Sequence, residues 1–269
     1  MDFSYIDIHS HLYFSDFDND REDEIEKLKQ NKIGVITVGT DFNSSKVATE
    51  LAEKHENLFA TAGQHPGDVT LESIFDERLE SITGNSKVVA IGECGLDYYR
   101  IEEGNTAIKQ IQKKIFQLHI NLALKLDKPL MLHIRPKKGT MDAYHDALEI
   151  LENFPKGSPS GKVRGNVHFF VGDLDVLKRF LAIGFTVSFT GVITFARDYD
   201  EVVRSAPLNM IMSETDSPFV APIPHRGERN SPLYVPEVVR KIAEIRGENF
   251  EMVRKQMVEN AKRTFNIAI

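Results

Sequence analysis

The chain has 269 residues, 41% of them hydrophobic and 27% charged, which is enough apolar material for a sizeable core and argues against wholesale disorder. Its single cysteine, Cys94, excludes an internal disulfide framework and every cysteine-rich zinc motif. A net charge of −7 excludes a surface that wraps long nucleic acid by neutralising many phosphates, and leaves room for short, local contact.

A short apolar run over 5–9 predicts the first strand, and 22–31 follows as a helix with Ile25 and Leu28 on one side. A second strand over 33–39 leads to a helix over 44–56 that carries Val47, Ala48, Leu51 and Ala52. Strands over 58–63 and 88–93 come next. The longest helix, 105–126, spaces Ile108, Ile111, Ile115, Leu118 and Leu122 by threes and fours, and stops before Pro129. Strands over 129–133 and 163–168, a helix near 174–183, strands over 184–190 and 209–214, and a helix over 236–246 complete the pattern. Eight strands in steps of roughly 30 residues predict one α/β domain spanning 1–269, a single (β/α)8 TIM-like barrel. The alternative, a doubly wound open sheet, lacks a Gly-rich phosphate fingerprint after the first strand. The Pro/Gly/Ser-rich stretch 155–162 reads as a loop within the domain.

The opening residues lack the basic and apolar regions of a signal peptide, and no apolar run approaches the ~20 residues needed to span a bilayer. A soluble, cytoplasmic protein with no membrane partner is expected, with a monomer favoured.

His9 and His11 stand at i and i+2 of the first strand, so two imidazoles share a face. Taken alone, that pair could be two surface histidines. However, Glu93, His133, His168 and Asp216 end or follow the fourth, fifth, sixth and eighth apolar runs. A charge or an imidazole there costs burial energy unless paired or metal-bound. Barrel active sites lie at the C-terminal strand ends, so five strands converge on one point. Four imidazoles and two carboxylates suit Zn²⁺ or Mn²⁺, with Mg²⁺ possible beside phosphate. Six ligands exceed what one catalytic ion needs, so two divalent ions ~3.5–4 Å apart are expected, with Glu93 bridging. Asp216 would hold one ion and accept the proton of the attacking water, making Glu93 and Asp216 the catalytic carboxylates.

Three further residues are candidates for substrate binding. His65 follows the third strand, on the same rim, although a loop histidine bonded to backbone explains it equally well. Arg135 begins a basic stretch with Lys137 and Lys138 after His133, otherwise a solvated loop. Arg226, in a stretch that also holds Arg229, could clamp a phosphate bidentately. His119 reads as a helix residue beside its apolar stripe, and His55 and His145 lie in polar helices. Cys94 has no nearby base. Glu214 and Asp7 either support the site or simply follow strand alternation.

Nearly end to end, the chain resembles the TatD family of metal-dependent deoxyribonucleases within the amidohydrolase-like barrels. The resemblance is carried by Asp7-Ile8-His9-Ser10-His11, Gly63-Gln64-His65-Pro66, Ile91-Gly92-Glu93-Cys94-Gly95-Leu96-Asp97-Tyr98 and Leu132-His133-Ile134-Arg135. It continues through Val167-His168-Phe169-Phe170-Val171-Gly172, Glu214-Thr215-Asp216-Ser217-Pro218-Phe219 and Arg226-Gly227-Glu228-Arg229-Asn230. It implies a TIM-like barrel, divalent metals on His9, His11, Glu93, His133, His168 and Asp216, and exonucleolytic cleavage of DNA. It also implies phosphate roles for His65 and Arg226. The chain departs from the family pattern at Gln64 and at Phe169-Phe170-Val171, both on the substrate side.

The expected function is therefore hydrolysis of DNA phosphodiester bonds by a metal-activated water, with DNA held through a short, local contact at a strand end. One alternative is an ester or amide hydrolase on the same two-metal site, such as an aminoacyl-tRNA deacylase. Another is a non-catalytic metal-binding barrel.

Overall fold

A computed structural model describes residues 2–102, 104–154 and 163–267, so the loop expected over 155–162 lies outside the described residues. Its strands are β1 (Tyr5–Ser10), β2 (Ile33–Val38), β3 (Leu58–Ala62), β4 (Val88–Asp97), β5 (Leu130–Arg135), β6 (Gly165–Val167), β7 (Thr186–Phe189) and β8 (Ile211–Ser213). All neighbours pair in parallel and in sequence order. The ring closes where Ser10 bridges Ser217 in parallel and the Asp216 amide donates to the carbonyl of His9 at 2.9 Å. The architecture is the expected TIM-like barrel, with a helical layer outside it.

The helices are α1 (Arg21–Gln30), α2 (Phe42–Lys54), α3 (Leu79–Thr83), α4 (Thr106–Leu126), α5 (Asp142–Asn153), α6 (Leu174–Ala182), α7 (Asp200–Ser205), α8 (Val235–Arg246) and α9 (Phe250–Phe265). Four of them, α3, α5, α7 and α9, are additional to the sequence expectation. α3 and α7 are too short to show a hydrophobic period. α5 buries Ala143, Tyr144, Ala147, Leu148 and Leu151, a stripe whose small residues give weak contrast in sequence. α9 has a different role. Its Val258, Ala261 and Phe265 join Phe3, Ile6, Met131 and Met212 in one buried cluster, and Asn260 donates to the carbonyls of Leu208 and Ile211 at 2.8 Å. α9 thus closes the N-terminal end of the barrel and leaves the C-terminal end as the open mouth.

Two strands run on past the residues expected to end them. Glu93 and His133 lie inside β4 and β5, which stay paired out to Asp97 and Arg135. Glycine makes that possible. A Cβ on Gly95, whose φ is +141°, would stand 2.1 Å from the carbonyl oxygen of His133, so no other residue allows so close an approach.

Candidate metal centre

The positions of His9 and Glu93 depend on irregularities in their strands. In β4, Ile91 pairs with Leu130 but Cys94 pairs with Leu132, three residues against two. In β1, Asp7 pairs with Val35 and Ser10 with Thr37, again three against two. A bulge of this kind re-aims a side chain. Here His9 and Glu93 occupy the bulged stretches of their strands, and their side chains meet at the mouth.

The two oxygens of Glu93 face different imidazoles. Oε2 lies 3.4 Å from His9 Nε2 and 4.0 Å from His11 Nε2. Oε1 lies 2.8 Å from His133 Nδ1, 2.9 Å from His168 Nε2 and 3.5 Å from His65 Nε2. Asp216 Oδ1 stands 3.6 Å from His11 Nε2 and 3.8 Å from His9 Nε2. Three sets of ligand atoms each fall within 4.8 Å of one another: His9, His168 and Asp216; His9, His11 and Glu93; and His65, Glu93 and His133. All six residues expected to hold metal are therefore gathered, and His65 sits among them, closer than a rim contact to substrate would require.

The donor set fits divalent cations. His9 is fully buried, yet neither of its ring nitrogens has a hydrogen-bond partner. Buried polar atoms are seldom left so. His133 Nδ1 stands 3.2 Å from both His65 Nε2 and His168 Nε2, nitrogen against nitrogen. A neutral imidazole has only one N–H, so facing ring nitrogens leave lone pairs directed at one another. A cation accepting those lone pairs satisfies them, and borderline ions such as Zn²⁺ and Mn²⁺ take this mixture of nitrogen and carboxylate ligands.

Charge within the cluster follows from the same geometry. Burial opposes ionisation of Glu93, but His168, His65 and His9 outweigh it and hold the carboxyl well below the usual range. Burial likewise disfavours a charged His168, yet Glu93 and Glu214 raise its pKa well above normal. His9 has no comparable compensation; burial and the neighbouring His168 lower it. Burial and His133 push His65 down to about 4.

Around this cluster lie carboxylates whose role the sequence left open or missed. Asp97 Oδ2 lies 3.2 Å from His133 Nε2, while Asp97 Oδ1 accepts from the Tyr99 amide at 2.9 Å. Glu214 accepts from the Phe169 amide at 2.6 Å and the Ser188 hydroxyl at 3.0 Å, and lies 3.6 Å from His168 Nδ1. Asp7 accepts from the amides of His9 and Thr215 and from the Thr215 hydroxyl, tying the ends of β1 and β8 together. Asp97 is placed to orient the His133 ring, as carboxylates behind metal-binding histidines generally do, while Glu214 lies behind His168. Asp97 was the one overlooked. The usable signal was a second carboxylate four residues after Glu93, in the same strand.

A cavity of about 1170 Å³ opens over the cluster, lined by His11, His65, Glu93, His133, His168 and Asp216. Arg135 lines it too, with its guanidinium 3.9 Å above the Tyr99 ring. Arg100 and Phe219, which the sequence reading did not single out as binding residues, line it as well. Arg226 is not among the lining residues: it lies flat on Phe195, 4.0 Å from the ring centroid, and donates to the Ala221 carbonyl at 3.2 Å. Arg226 therefore stands outside the cavity in this arrangement, with an aromatic ring across one face of its guanidinium. Arg229 is engaged as well, pairing with both oxygens of Asp20 at 2.7 and 2.8 Å. His119 is buried in α4, bonded to the Ile115 carbonyl and the Gln64 amide.

A closed parallel barrel with imidazoles and carboxylates converging at its mouth is the architecture of a metal-dependent hydrolase. A family model described as "TatD related DNase" matches residues 6–266. An uncharacterized metal-dependent hydrolase of Bacillus subtilis, YabD, is 36% identical over 267 residues, covering 97% of this chain and 98% of that one. A protein of Pectobacterium parmentieri named 3'-5' ssDNA/RNA exonuclease TatD is 31% identical over 272 residues, covering 97% and 99%. The crystal structure of YJJV, a TatD homologue from Escherichia coli, superposes with a TM-score of 0.84 at 27% identity, covering 98% and 99%. The chain belongs to the TatD family.

Proposed function

We propose that the protein hydrolyses DNA phosphodiester bonds at strand ends, using two divalent ions held at the barrel mouth. The observation that carries this reading is the division of Glu93, whose two oxygens face separate groups of imidazoles. His9 and His11 with Asp216 would hold one ion, His133 and His168 the other, and Glu93 would serve both. The name of the Pectobacterium relative supports the choice of substrate, and the cationic Arg100 and Arg135 beside the acidic cluster suit a phosphate chain.

When bound, such ions polarise a phosphoryl oxygen and bring the pKa of a water near neutrality. The chain's own residues supply the rest. Asp216 lines the cavity beside His9 and His11, where its carboxylate can take a proton from the attacking water. Asp97 orients His133, and the Glu214 carboxylate lies behind His168 and favours its charged form. Arg135, braced by Tyr99, binds a phosphate next to the cleaved bond. His65 contacts the reacting phosphoryl group from the Glu93 Oε1 side.

The test is incubation of metal-stripped protein with end-labelled single- and double-stranded DNA, adding Mg²⁺, Mn²⁺ or Zn²⁺ in turn, with Asp216→Ala alongside. Metal-dependent shortening that is lost in the variant is the expected result, and the labelled end shows the polarity. If folded protein cleaves nothing under any ion, the nuclease reading fails and ester and amide substrates on the same site are the next to test.

A further inference from the structure

An exposed aromatic ring costs hydration free energy, and Phe219 is 49% exposed at the rim of the cavity. Its backbone is nevertheless firmly held. The Phe219 amide donates to the Asp216 carbonyl at 2.9 Å, and its own carbonyl accepts from Asn230 Nδ2 at 2.5 Å. Asn230 also holds the Thr215 carbonyl at 2.8 Å, so ring and catalytic carboxylate sit on one braced segment. Behind the ring, Phe14 meets Phe219 edge-on at 5.9 Å and stacks on His11 at 4.8 Å with an interplanar angle of 21°. A rigid support for an exposed apolar ring, three residues from the candidate general base, is not required by packing.

The opposite side of the mouth is different. β1 and β8 are neighbours in the ring, so β4 and β5 stand half-way round it. From the end of β5 and the turn after β4 come Arg135 and Tyr99, the latter 45% exposed. One wall therefore offers an aromatic face and the other a cation, with the carboxylate-imidazole cluster between them. That is the composition of a groove for single-stranded nucleic acid, in which bases stack on rings and phosphates meet cations. We propose that Phe219, backed by Phe14, stacks a nucleobase adjoining the cleaved phosphate, so that the protein requires a base at the cut end without reading which base it is. This rests on the nuclease reading above. Stacking brings the flanking sugar-phosphate to the Asp216 side of the cluster while Arg135 holds the chain across it.

The experiment compares two oligonucleotides of one sequence, intact or with an abasic residue at the terminal or penultimate position, using metal-loaded wild type, Phe219→Ala and Phe219→Tyr. Wild type should cleave the intact end roughly tenfold or more faster in kcat/KM than the end abasic at one of those two positions. Phe219→Ala should lose that ratio by slowing on intact DNA alone, largely through KM, and Phe219→Tyr should restore it. A 2-aminopurine placed beside a cleavage-resistant phosphorothioate should be quenched by wild type and less so by Phe219→Ala. Equal rates on abasic and intact ends, or an unchanged ratio in Phe219→Ala, would overturn the stacking site and leave the nuclease reading standing. Absence of cleavage on every end would overturn both.

Discussion

The barrel mouth and the helical layer beneath α4 each bury a histidine completely, and the two are in opposite chemical states. His119 uses both ring nitrogens: Nδ1 bonds the Ile115 carbonyl at 2.9 Å and Nε2 accepts from the Gln64 amide at 3.0 Å. His9 uses neither. Burial alone therefore does not distinguish a structural histidine from a ligand; unmet hydrogen-bonding capacity does. At His119 the chain meets the capacity of the ring from within itself. At the mouth it leaves imidazole nitrogens facing one another around Glu93, an arrangement that a bound cation would complete.

The contrast is sharpened most by removing the residue that both imidazole groups share. Glu93→Ala is expected to lower turnover by on the order of 10³-fold or more, because its two oxygens face both groups of imidazoles. The fold should survive, since Glu93 contacts the cluster and not the hydrophobic core. Cleavage assays with thermal melting of the metal-free variant check both halves; near-normal metal-dependent rates would break the comparison.

For the helical layer the corresponding test is acid. Burial holds His119 near pKa about 4 in the folded protein, against an ordinary value near 6.5. The unfolded chain binds the proton more readily. The stability that His119 contributes is therefore complete above pH 6.5 and is lost as pH falls from there towards 4. About 2 kcal/mol should go between pH 7.5 and pH 5. Urea unfolding of metal-stripped wild type and His119→Gln at both pH values measures this, with the variant showing the smaller pH-dependent loss. Identical losses in the two proteins would mean His119 is not held neutral.

A smaller effect is expected one residue further out at the mouth. Asp97→Asn keeps the size of the side chain but removes the charge 3.2 Å from His133 Nε2. Metal affinity or activity should drop 10–100-fold, with excess metal restoring part of it. Metal titration followed by activity checks this, and an effect confined to stability would move Asp97 out of the site.

Much of this arrangement was legible in sequence, for a definite reason. His9, His11, Glu93, His133, His168 and Asp216 interrupt apolar runs, and a polar group in such a run is conspicuous. The eight strands were legible for the same cause, since parallel strands covered on both faces are continuous apolar stretches. The bulges in β1 and β4 were not, because an extra residue in a strand changes pairing without changing composition. Without them, Glu93 and His133 read as strand ends although both lie inside their strands. α9 was missed because its buried face is diluted by Glu251, Arg254, Lys255 and Glu259 on the other side, and because a helix closing the barrel floor lies outside the βα repeat. Arg226 shows a different limit: sequence shows that an arginine is available but not that its guanidinium rests on Phe195, outside the cavity.

The faintest expected signal concerns the whole surface against the mouth. With a net charge of −7, the protein has little electrostatic attraction for DNA except where Arg100 and Arg135 line the cavity. Each phosphate neutralised on a single strand contributes a salt slope of roughly −0.7, so two cations give about −1.4. Binding of single-stranded DNA should then weaken by less than roughly tenfold between 50 and 200 mM salt, and Arg135→Ala should flatten the slope by about 0.7. Affinity measured across that salt range checks both. A slope several times steeper would mean that an extended basic face holds the strand. In that event the mouth would not be selecting its substrate through the few groups gathered there.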